Sequence, residues 1–566
     1  MDRRGGLVIA EVSMAGRIER MVAIVTVLGL LLIGASAEAA APASGPSLAK
    51  LDIQDAVVQS PRGQSRGTLR IAQHFSLSPA WLDPQEQQPA TIQQAFSYLI
   101  HDALIKPMPQ GYFTYSLAES LEMPADHTYA KFRLREGLKF HNGAPVTTED
   151  VKWNYEHYQG VHAATFRDKT DRIELVDDRT IVFHFKQPFL EFLELYNGVP
   201  SGSGWILPKA YYEEVGPEGF KQHPIGAGPF KFVSQQAGVQ VAAEAWDGYW
   251  RRTPGVQQIV VTHVREFTSR LAALKTGQAD LAYGLTGDIL RQVLQDPKLR
   301  WNRNFTNPWY LVFPGYREPD SPFHDKRVRQ AISLTINRQF LTQMESEGIG
   351  PVWCSWIGPD RLHALACPDD LPLPAYDREK ARQLLADAGY AQGLQLDSYA
   401  PFPPYFKMAE RVVTDLGAVG IHIKVQSMEQ PAFRAKIAEG RKGWPGNRTV
   451  IHDVSIQPGS AAATIRLQAT CDAPSSLICE PYIEARFAKY EASLDPAERS
   501  QLLKEIQKYV IQEYLIVPLY INPFVHAIGP RVLPEGDAPL GQGFHRYWAT
   551  PQAPFPWPWE EWQVRE

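Results

Sequence analysis

Three scarcities limit what this sequence can encode. The chain has only four cysteines in 566 residues, and its formal net charge is −5. A charge this close to balance gives no electrostatic reason to expect a nucleic acid partner. The sequence contains no Gly-x-Ser-x-Gly nucleophile elbow, no Walker loop and no His-Glu-x-x-His zinc motif. We therefore expect no catalytic residue, no metal ligand and no cofactor.

Long apolar runs are also scarce. The run at residues 21–33 is apolar apart from Thr26 and follows two arginines. As a helix it rises about 20 Å, less than the roughly 30 Å hydrocarbon core of a bilayer. Small residues at 35–39 then supply a signal-peptidase pattern. Residues 1–39 are predicted to be a cleaved signal peptide and 40–66 a flexible leader, which places the mature protein in the periplasm.

The four cysteines all lie in the C-terminal half of the chain. An even number in an exported protein favours disulfides, and proximity in sequence favours Cys354 with Cys367 and Cys471 with Cys479. Buried free thiols are the alternative. No Cys-x-x-Cys pair accompanies them, so no zinc site is predicted.

The most regular segment is KFRLREGLKFHNGAPVTTEDVKWNY at residues 131–155. Phe132 and Leu134 alternate with charged residues, which is typical of a half-buried strand, and an Asn-Gly pair predicts a tight turn before a second strand. Thr147 and Asp150 have the spacing of a capping box at the start of a helix. The segment predicts strand, turn, strand and capped helix, with no catalytic group.

Four further segments follow in order and combine helices or strands with glycine punctuation. They are PIGAGPFKF at residues 224–232, TSRLAALKTGQADL at 268–281, FHDKRVRQAISLTINR at 323–338 and YDREKARQLLADAGY at 376–390. Pro229 after the Gly-x-Gly of the first excludes a dinucleotide fingerprint. In this order, the five segments closely resemble the family 5 extracytoplasmic solute-binding proteins of ABC importers, which include the dipeptide and oligopeptide receptors.

The resemblance implies an α/β fold of the periplasmic binding protein type (type II, cluster C), with two lobes joined by a hinge and an extra small domain. A chain of this length is in any case too long for one core. The implied boundaries are 67–98, 220–305 and 510–566 for a discontinuous lobe I, 99–219 for the small domain and 306–509 for lobe II. The implied partners are a peptide or small-molecule ligand and ABC permease subunits, and we expect a monomer.

The resemblance also indicates where a ligand amine would bind. Peptide-binding members hold the α-amino group with a cleft Asp just after a Trp, and the corresponding region here, residues 442–460, departs from that pattern. If Trp444 matches the Trp, Asn447 replaces the Asp. If the strand at 449–455 matches, the Trp is missing and Asp453 is the nearest anchor; its alternative is a solvent-facing strand residue.

Several other aromatic residues could wall the cleft, and core packing is the alternative for each. They are Trp309, Trp353, Trp356 and Tyr405. The departure at residues 442–460 keeps other solutes open, such as a metal chelate, an opine or an oligosaccharide, as well as a folding helper built on the same scaffold.

A serine enzyme of the penicillin-binding class is the sharpest alternative outside the receptors. Ser-Leu-Ala-Lys at 47–50, Lys-Thr-Gly at 275–277 and Tyr-Ile-Asn at 520–522 superficially match its three motifs. The first lies in the predicted leader, the second ends a predicted helix, and the third follows the second instead of preceding it. The contexts therefore argue against an enzyme.

Overall fold

The structure, a computed structural model, describes residues 53–55, 63–74, 82–85, 97–108, 111–160, 162–198, 203–358, 371–400, 406–427, 433, 436, 439–444, 448–453, 461–473, 475–533 and 558–565. Within these ranges no helix combines the length and apolar character needed to cross a bilayer.

The strands of these ranges are numbered in chain order. They are β1 (Gln54–Asp55), β2 (Thr68–Gln73), β3 (Asp102–Ala103), β4 (Ile105–Met108), β5 (Gly111–Tyr115), β6 (Ala118–Glu122), β7 (Tyr129–Leu134), β8 (Thr170–Asp177), β9 (Thr180–Phe185), β10 (Trp205–Ile206), β11 (Phe230–Gln236), β12 (Gln240–Ala245), β13 (Gln258–His263), β14 (Leu281–Leu285), β15 (Arg300–Val312), β16 (Leu394–Ala400), β17 (Ile421–Ser427), β18 (Arg448–Asp453) and β19 (Ile516–Ile528).

The α-helices are numbered in the same way. They are α1 (Thr148–His157), α2 (Ala163–Lys169), α3 (Phe192–Leu195), α4 (Lys209–Gln222), α5 (Phe267–Lys275), α6 (Gly287–Gln295), α7 (Lys326–Thr335), α8 (Arg338–Ser346), α9 (Arg378–Asp387), α10 (Phe406–Gly417), α11 (Ala461–Ala469), α12 (Pro481–Ala492) and α13 (Pro496–Gln512). Short 3₁₀ helices cover Pro322–His324, Gly440–Gly443 and Trp559–Glu561.

A ten-stranded mixed sheet organises most of the fold. Its strand order is β11-β12-β13-β2-β14-β19-β15-β18-β16-β17. The pairs of β2 with β13 and β14 are parallel, as are those of β16 with β17 and β18, and the remaining pairs are antiparallel. Five strands lie on one side of the β19/β15 pair and three on the other. The predicted α/β fold is confirmed.

Two long neighbouring strands join these two groups. β15 and β19 each contain 13 residues and pair antiparallel from Arg300 opposite Ile528 to Val312 opposite Ile516. One half of the pair lies beside β14, and the other half lies beside β18. The pairing register shifts between Phe305 and Asn307 and again between Trp309 and Tyr310. Such irregularities bend a strand pair locally, so the joint between the two groups falls at these positions.

A separate antiparallel sheet with the order β6-β7-β9-β8 lies in the region of the predicted small domain. Smaller sheets comprise β1-β5-β4 and β10-β3. Buried hydrophobic residues of the described ranges form three large clusters and one small one. The largest runs from Trp309 to Tyr520, a second contains Leu69, Tyr283 and Val564, and a third runs from Leu104 to Ala227. The assignment of exact domain boundaries stays a prediction.

The segment 131–155 adopts most of its predicted structure. The Asp150 carboxylate accepts hydrogen bonds from the Thr147 backbone N–H and hydroxyl at 2.9 and 2.8 Å, as expected for the start of α1. The predicted second strand is reduced to a single bridge between Lys139 and Pro145. A strand requires pairing over several residues, and across this tight loop one residue pair alone is bridged. Gly143 within it has a φ of 86°, the conformation the turn requires.

The chain's C-terminal segment, residues 558–565, is built into the fold by buried charges. The Arg251 guanidinium lies 2.7 Å from Glu560 Oε1 and 2.6 Å from Glu561 Oε1, and these three side chains are 3%, 0% and 8% exposed. Trp559 and Trp562 are buried in the same cluster as Leu69. Because a buried charge without a partner is very costly, the two glutamates fix the segment in place.

Replacing Arg251 tests this arrangement. Arg251→Met removes the guanidinium that lies against the buried Glu560 and Glu561 carboxylates, so we expect the free energy of unfolding to fall by about 3–5 kcal/mol in urea titration. Lys209→Met is the control, because Lys209 and Glu213 form a half-exposed pair at 3.6 Å. Its effect should stay below about 1 kcal/mol. Equal effects of the two substitutions would contradict a stabilising role for the buried pair.

Candidate ligand-binding site

The pairing of β18 with β15 places Asp453, the predicted amine anchor, beside the β15/β19 pair. Asp453 is the last residue of β18, and its backbone pairs with Trp309 of β15. Trp309 is also opposite Tyr520 of β19, next to the register shift that follows it. The Asp453 backbone therefore lies at the joint between the two groups of strands. A contact between its side chain and a ligand stays a prediction.

The predicted aromatic residues that the structure describes pack against other parts of the protein. Trp309, Trp356 and Trp444 are buried in one hydrophobic cluster, where Trp444 meets Phe433 edge-on with ring centroids 5.7 Å apart. Trp353 is partly buried, and its indole N–H donates to the Ile357 carbonyl at 2.7 Å. Each of these side chains has a packing role, and their ligand contacts stay predictions. Tyr405 and Asn447 lie outside the described residues.

The three cysteines that the structure describes are in disulfides. Cys471 and Cys479 form the bridge expected from their proximity. Cys354 is disulfide-bonded, and its predicted partner Cys367 lies outside the described residues. The bridge between Cys471 and Cys479 connects the end of α11 to the start of α12, which fixes these two helices relative to each other.

A stack of three rings on and beside three neighbouring strands was not predicted from the sequence. His74 directly follows β2, and its ring stacks on Tyr283 of β14 at 5.6 Å between centroids. Tyr283 in turn stacks on His526 of β19 at 4.5 Å. Burial, followed by the nearby Arg270, lowers the pKa of His74 well below its usual value, so its imidazole is neutral at neutral pH. The only sequence signal was a histidine at the end of the first strand.

A small cavity lies between the region of α2 and α3 and the region of α11 and α12. Its volume is about 40 Å³. The residues that line it are His162, Thr165, Lys169, Phe189, Glu191, Leu195, Ala462, Ala463, Arg466, Leu467 and Phe487. One side comes from the predicted small domain and the other from predicted lobe II, so the cavity separates two parts of the chain that are distant in sequence.

Ion pairs connect the two sides around this cavity. Arg499 lies 2.6 Å from Glu191 Oε1, and Lys169 lies 3.6 Å from Glu491, which also pairs with Arg466. Burial acts to raise the pKa of Glu191, but attraction and hydrogen bonding from Arg499, together with Lys169, lower it overall. The Glu191 carboxylate is therefore ionised and held by a cation from the other side.

His162, on the cavity wall, is also buried, and its imidazole is neutral at neutral pH. It is 5% exposed, and burial, followed by the charge of Arg466, lowers its pKa to about 4. Among the residues that the structure describes, no group of three or more His, Cys, Asp or Glu side chains is arranged to hold a metal ion.

Acidification should destabilise the protein through His162. Its pKa in the folded state lies below the unfolded value near 6.5, so below that pH the unfolded state binds the extra proton and stability falls by about 1.4 kcal/mol per pH unit. His162→Gln should make the decline in unfolding free energy between pH 6.5 and 5 shallower by about 1.5 kcal/mol. His422→Gln, at an exposed position, is the control. Identical slopes in wild type and His162→Gln would contradict the assignment.

Comparison with known proteins identifies the family of this chain. The model of the bacterial extracellular solute-binding proteins, family 5, matches residues 113–444. The heme-binding protein A of Haemophilus influenzae is 26% identical over 476 residues, 75% of this chain and 82% of that protein. The dipeptide-binding protein of Escherichia coli is 25% identical over 409 residues, 65% of this chain and 75% of that protein.

Solved structures share the fold. MoaA from A. tumefaciens R10, in complex with mannopinic acid, superimposes with a TM-score of 0.73 at 22% identity, covering 89% of this chain and 100% of that one. A dipeptide-binding protein from Pseudoalteromonas sp. SM9913, in complex with Met-Leu, gives a TM-score of 0.72 at 21% identity, covering 84% and 98%. From the family match and the two-group sheet together, the chain belongs to the family 5 bacterial extracellular solute-binding proteins.

Proposed function

We propose that this protein captures a small organic solute between two lobes and delivers it, chemically unchanged, to a membrane ABC permease. The observation that carries the proposal is the β15/β19 pair. Strand β15 runs without interruption from one group of strands to the other, and β19 returns beside it with two register shifts at the joint. Two bodies joined by such a pair can close over a ligand by rotating about it, which is a hinge motion.

The solute we favour is a peptide or a related zwitterion. Relatives named as dipeptide-binding and glutathione-binding proteins support this class. The backbone position of Asp453 at the joint also supports it, because a buried ammonium requires a carboxylate partner.

A second candidate is a non-peptide solute such as an opine. Two observations favour it: residues 442–460 lack the Trp-Asp pattern of the peptide receptors, and the matching structure of MoaA holds mannopinic acid. Both candidate solutes are organic molecules that carry a carboxylate and contact both lobes. They differ in whether Asp453 pairs with a ligand amine.

The family and the N-terminus support the compartment that we propose. Family members are extracellular solute-binding proteins. The proposal includes cleavage of the predicted signal peptide at residues 1–39 and release of the mature receptor into the periplasm. The proposal further includes docking on permease subunits as a monomer, and the family consists of receptors rather than enzymes.

Ligand-driven closure is the direct test of this function. The probes are a set of dipeptides that includes Met-Leu and, separately, mannopinic acid, each added to protein that was unfolded and refolded to remove bound solute. A binding probe should reduce the radius of gyration in X-ray scattering and change tryptophan fluorescence, because the ligand stabilises the closed state. Binding without compaction would contradict the two-lobe mechanism, and turnover of the probe would contradict the receptor assignment.

Asp453→Asn separates the two solute classes. If Asp453 pairs with a buried ligand amine, the substitution leaves that ammonium without its partner and should cost about 3–5 kcal/mol, or roughly two to three and a half decades of affinity. Asp397→Asn is the matched control, because Asp397 lies on neighbouring β16 at the opposite end of β18. Unchanged dipeptide affinity in Asp453→Asn would eliminate Asp453 as the anchor.

A further inference from the structure

The strongest unassigned feature is the ion pair between Glu191 and Arg499. We propose that this pair is a latch, formed in the closed protein and broken on opening, that links the segment of Glu191 to predicted lobe II and sets how readily the protein closes. The inference rests on the proposed closure about β15 and β19, and it adds a specific contact that controls that motion.

Chain connectivity makes this contact sensitive to closure. Glu191 and Arg499 are 308 residues apart in sequence. Between them the chain passes through β15, which carries it from one group of strands to the other. Any rotation at the joint of β15 therefore moves Arg499 relative to Glu191. The short distance between the two side chains is specific to one position of that rotation.

The pair is buried and well formed. Arg499 Nη2 donates to Glu191 Oε1 at 2.6 Å, and the two side chains are 1% and 12% exposed. In water such a contact is worth little, but a nearly dry pair is held strongly and is costly to break on one side only. Tyr490 and Glu191 act to raise the pKa of Arg499 and outweigh the effect of burial, so the guanidinium stays charged.

Arg499 is held by its own side before the two partners meet. Arg499 Nη1 donates to the carbonyls of Tyr490 and Ser493 at 2.8 and 3.3 Å, and the guanidinium lies 3.8 Å from the Tyr490 ring centroid. Glu191 is the N-cap residue directly before the short helix α3. The Arg499 side chain therefore needs little further ordering on closing, which lowers the entropic cost of forming the contact.

A second tie lies across the same interface. Lys169 of α2 pairs with Glu491 at 3.6 Å, and Glu491 also pairs with Arg466 of α11. Glu191, Lys169 and Arg466 all line the cavity of about 40 Å³. Apolar side chains such as Phe189 and Phe487 line it as well. Opening would therefore separate both ionic ties together with apolar contacts.

A comparison of the open and closed states gives the direction in which a substitution at Glu191 acts. When the lobes open, water solvates both charges, and the loss of one partner then has little consequence. In the closed state, the loss of one partner leaves the other charge buried. A substitution at Glu191 therefore weakens the closed state selectively, whereas an ion pair within one lobe affects both states equally.

The test compares Glu191→Gln with an ion pair inside predicted lobe II. Glu345 accepts a hydrogen bond from Arg411 at 2.6 Å and is 10% exposed, so Glu345→Gln is the matched control. We expect Glu191→Gln to shift the open-to-closed ratio toward open by about tenfold or more. The ligand-free radius of gyration should increase, or, where the ligand-free protein is already open, the affinity for a dipeptide or mannopinic acid probe should fall by a similar factor. Arg499→Gln should show the same direction.

The outcomes are distinct. An unchanged radius of gyration together with unchanged probe affinity in Glu191→Gln overturns the latch, and so does an equal effect in Glu345→Gln. If wild-type protein binds neither probe, the proposed solute class fails, and an unchanged ligand-free radius of gyration in Glu191→Gln is then enough to overturn the latch. Because Glu191→Gln keeps the shape of the side chain, its thermal unfolding should remain cooperative.

Discussion

The pairing of β15 with β19 is the constraint on which the rest of the structure depends. It is the one place in the described sheet where strands on both sides meet, with β14 on one flank and β18 on the other. Backbone hydrogen bonds along two 13-residue strands keep the two groups in register, and the two register shifts provide the local bend. The cleft, the hinge and the proposed latch all depend on this pair.

Local sequence chemistry predicted the local structure. The capping interaction of Thr147 with Asp150 was predictable because its partners are three residues apart and the geometry of a helix start is fixed. The bridge between Cys471 and Cys479 is also a short-range contact. The second strand of the same signature was not obtained, because a strand requires a partner that the local sequence does not specify.

Contacts between distant segments could not be predicted in the same way. The stack of His74, Tyr283 and His526 requires the order of three strands, and no periodicity reveals that order. The contact of Glu191 with Arg499 likewise depends on how two bodies meet. The family resemblance supplied the fold, but the residues that hold a particular solute vary within a fold, which is why Asp453 stays a proposal.

The central claim is that the protein holds one solute between two lobes and does not transform it. Native mass spectrometry of protein purified from its own host, followed by identification of the released molecule, tests this claim most directly. The account predicts one organic solute per chain, released intact on unfolding and bound again in the same form. A covalently modified protein, or a bound molecule converted to a different product during incubation, would contradict it.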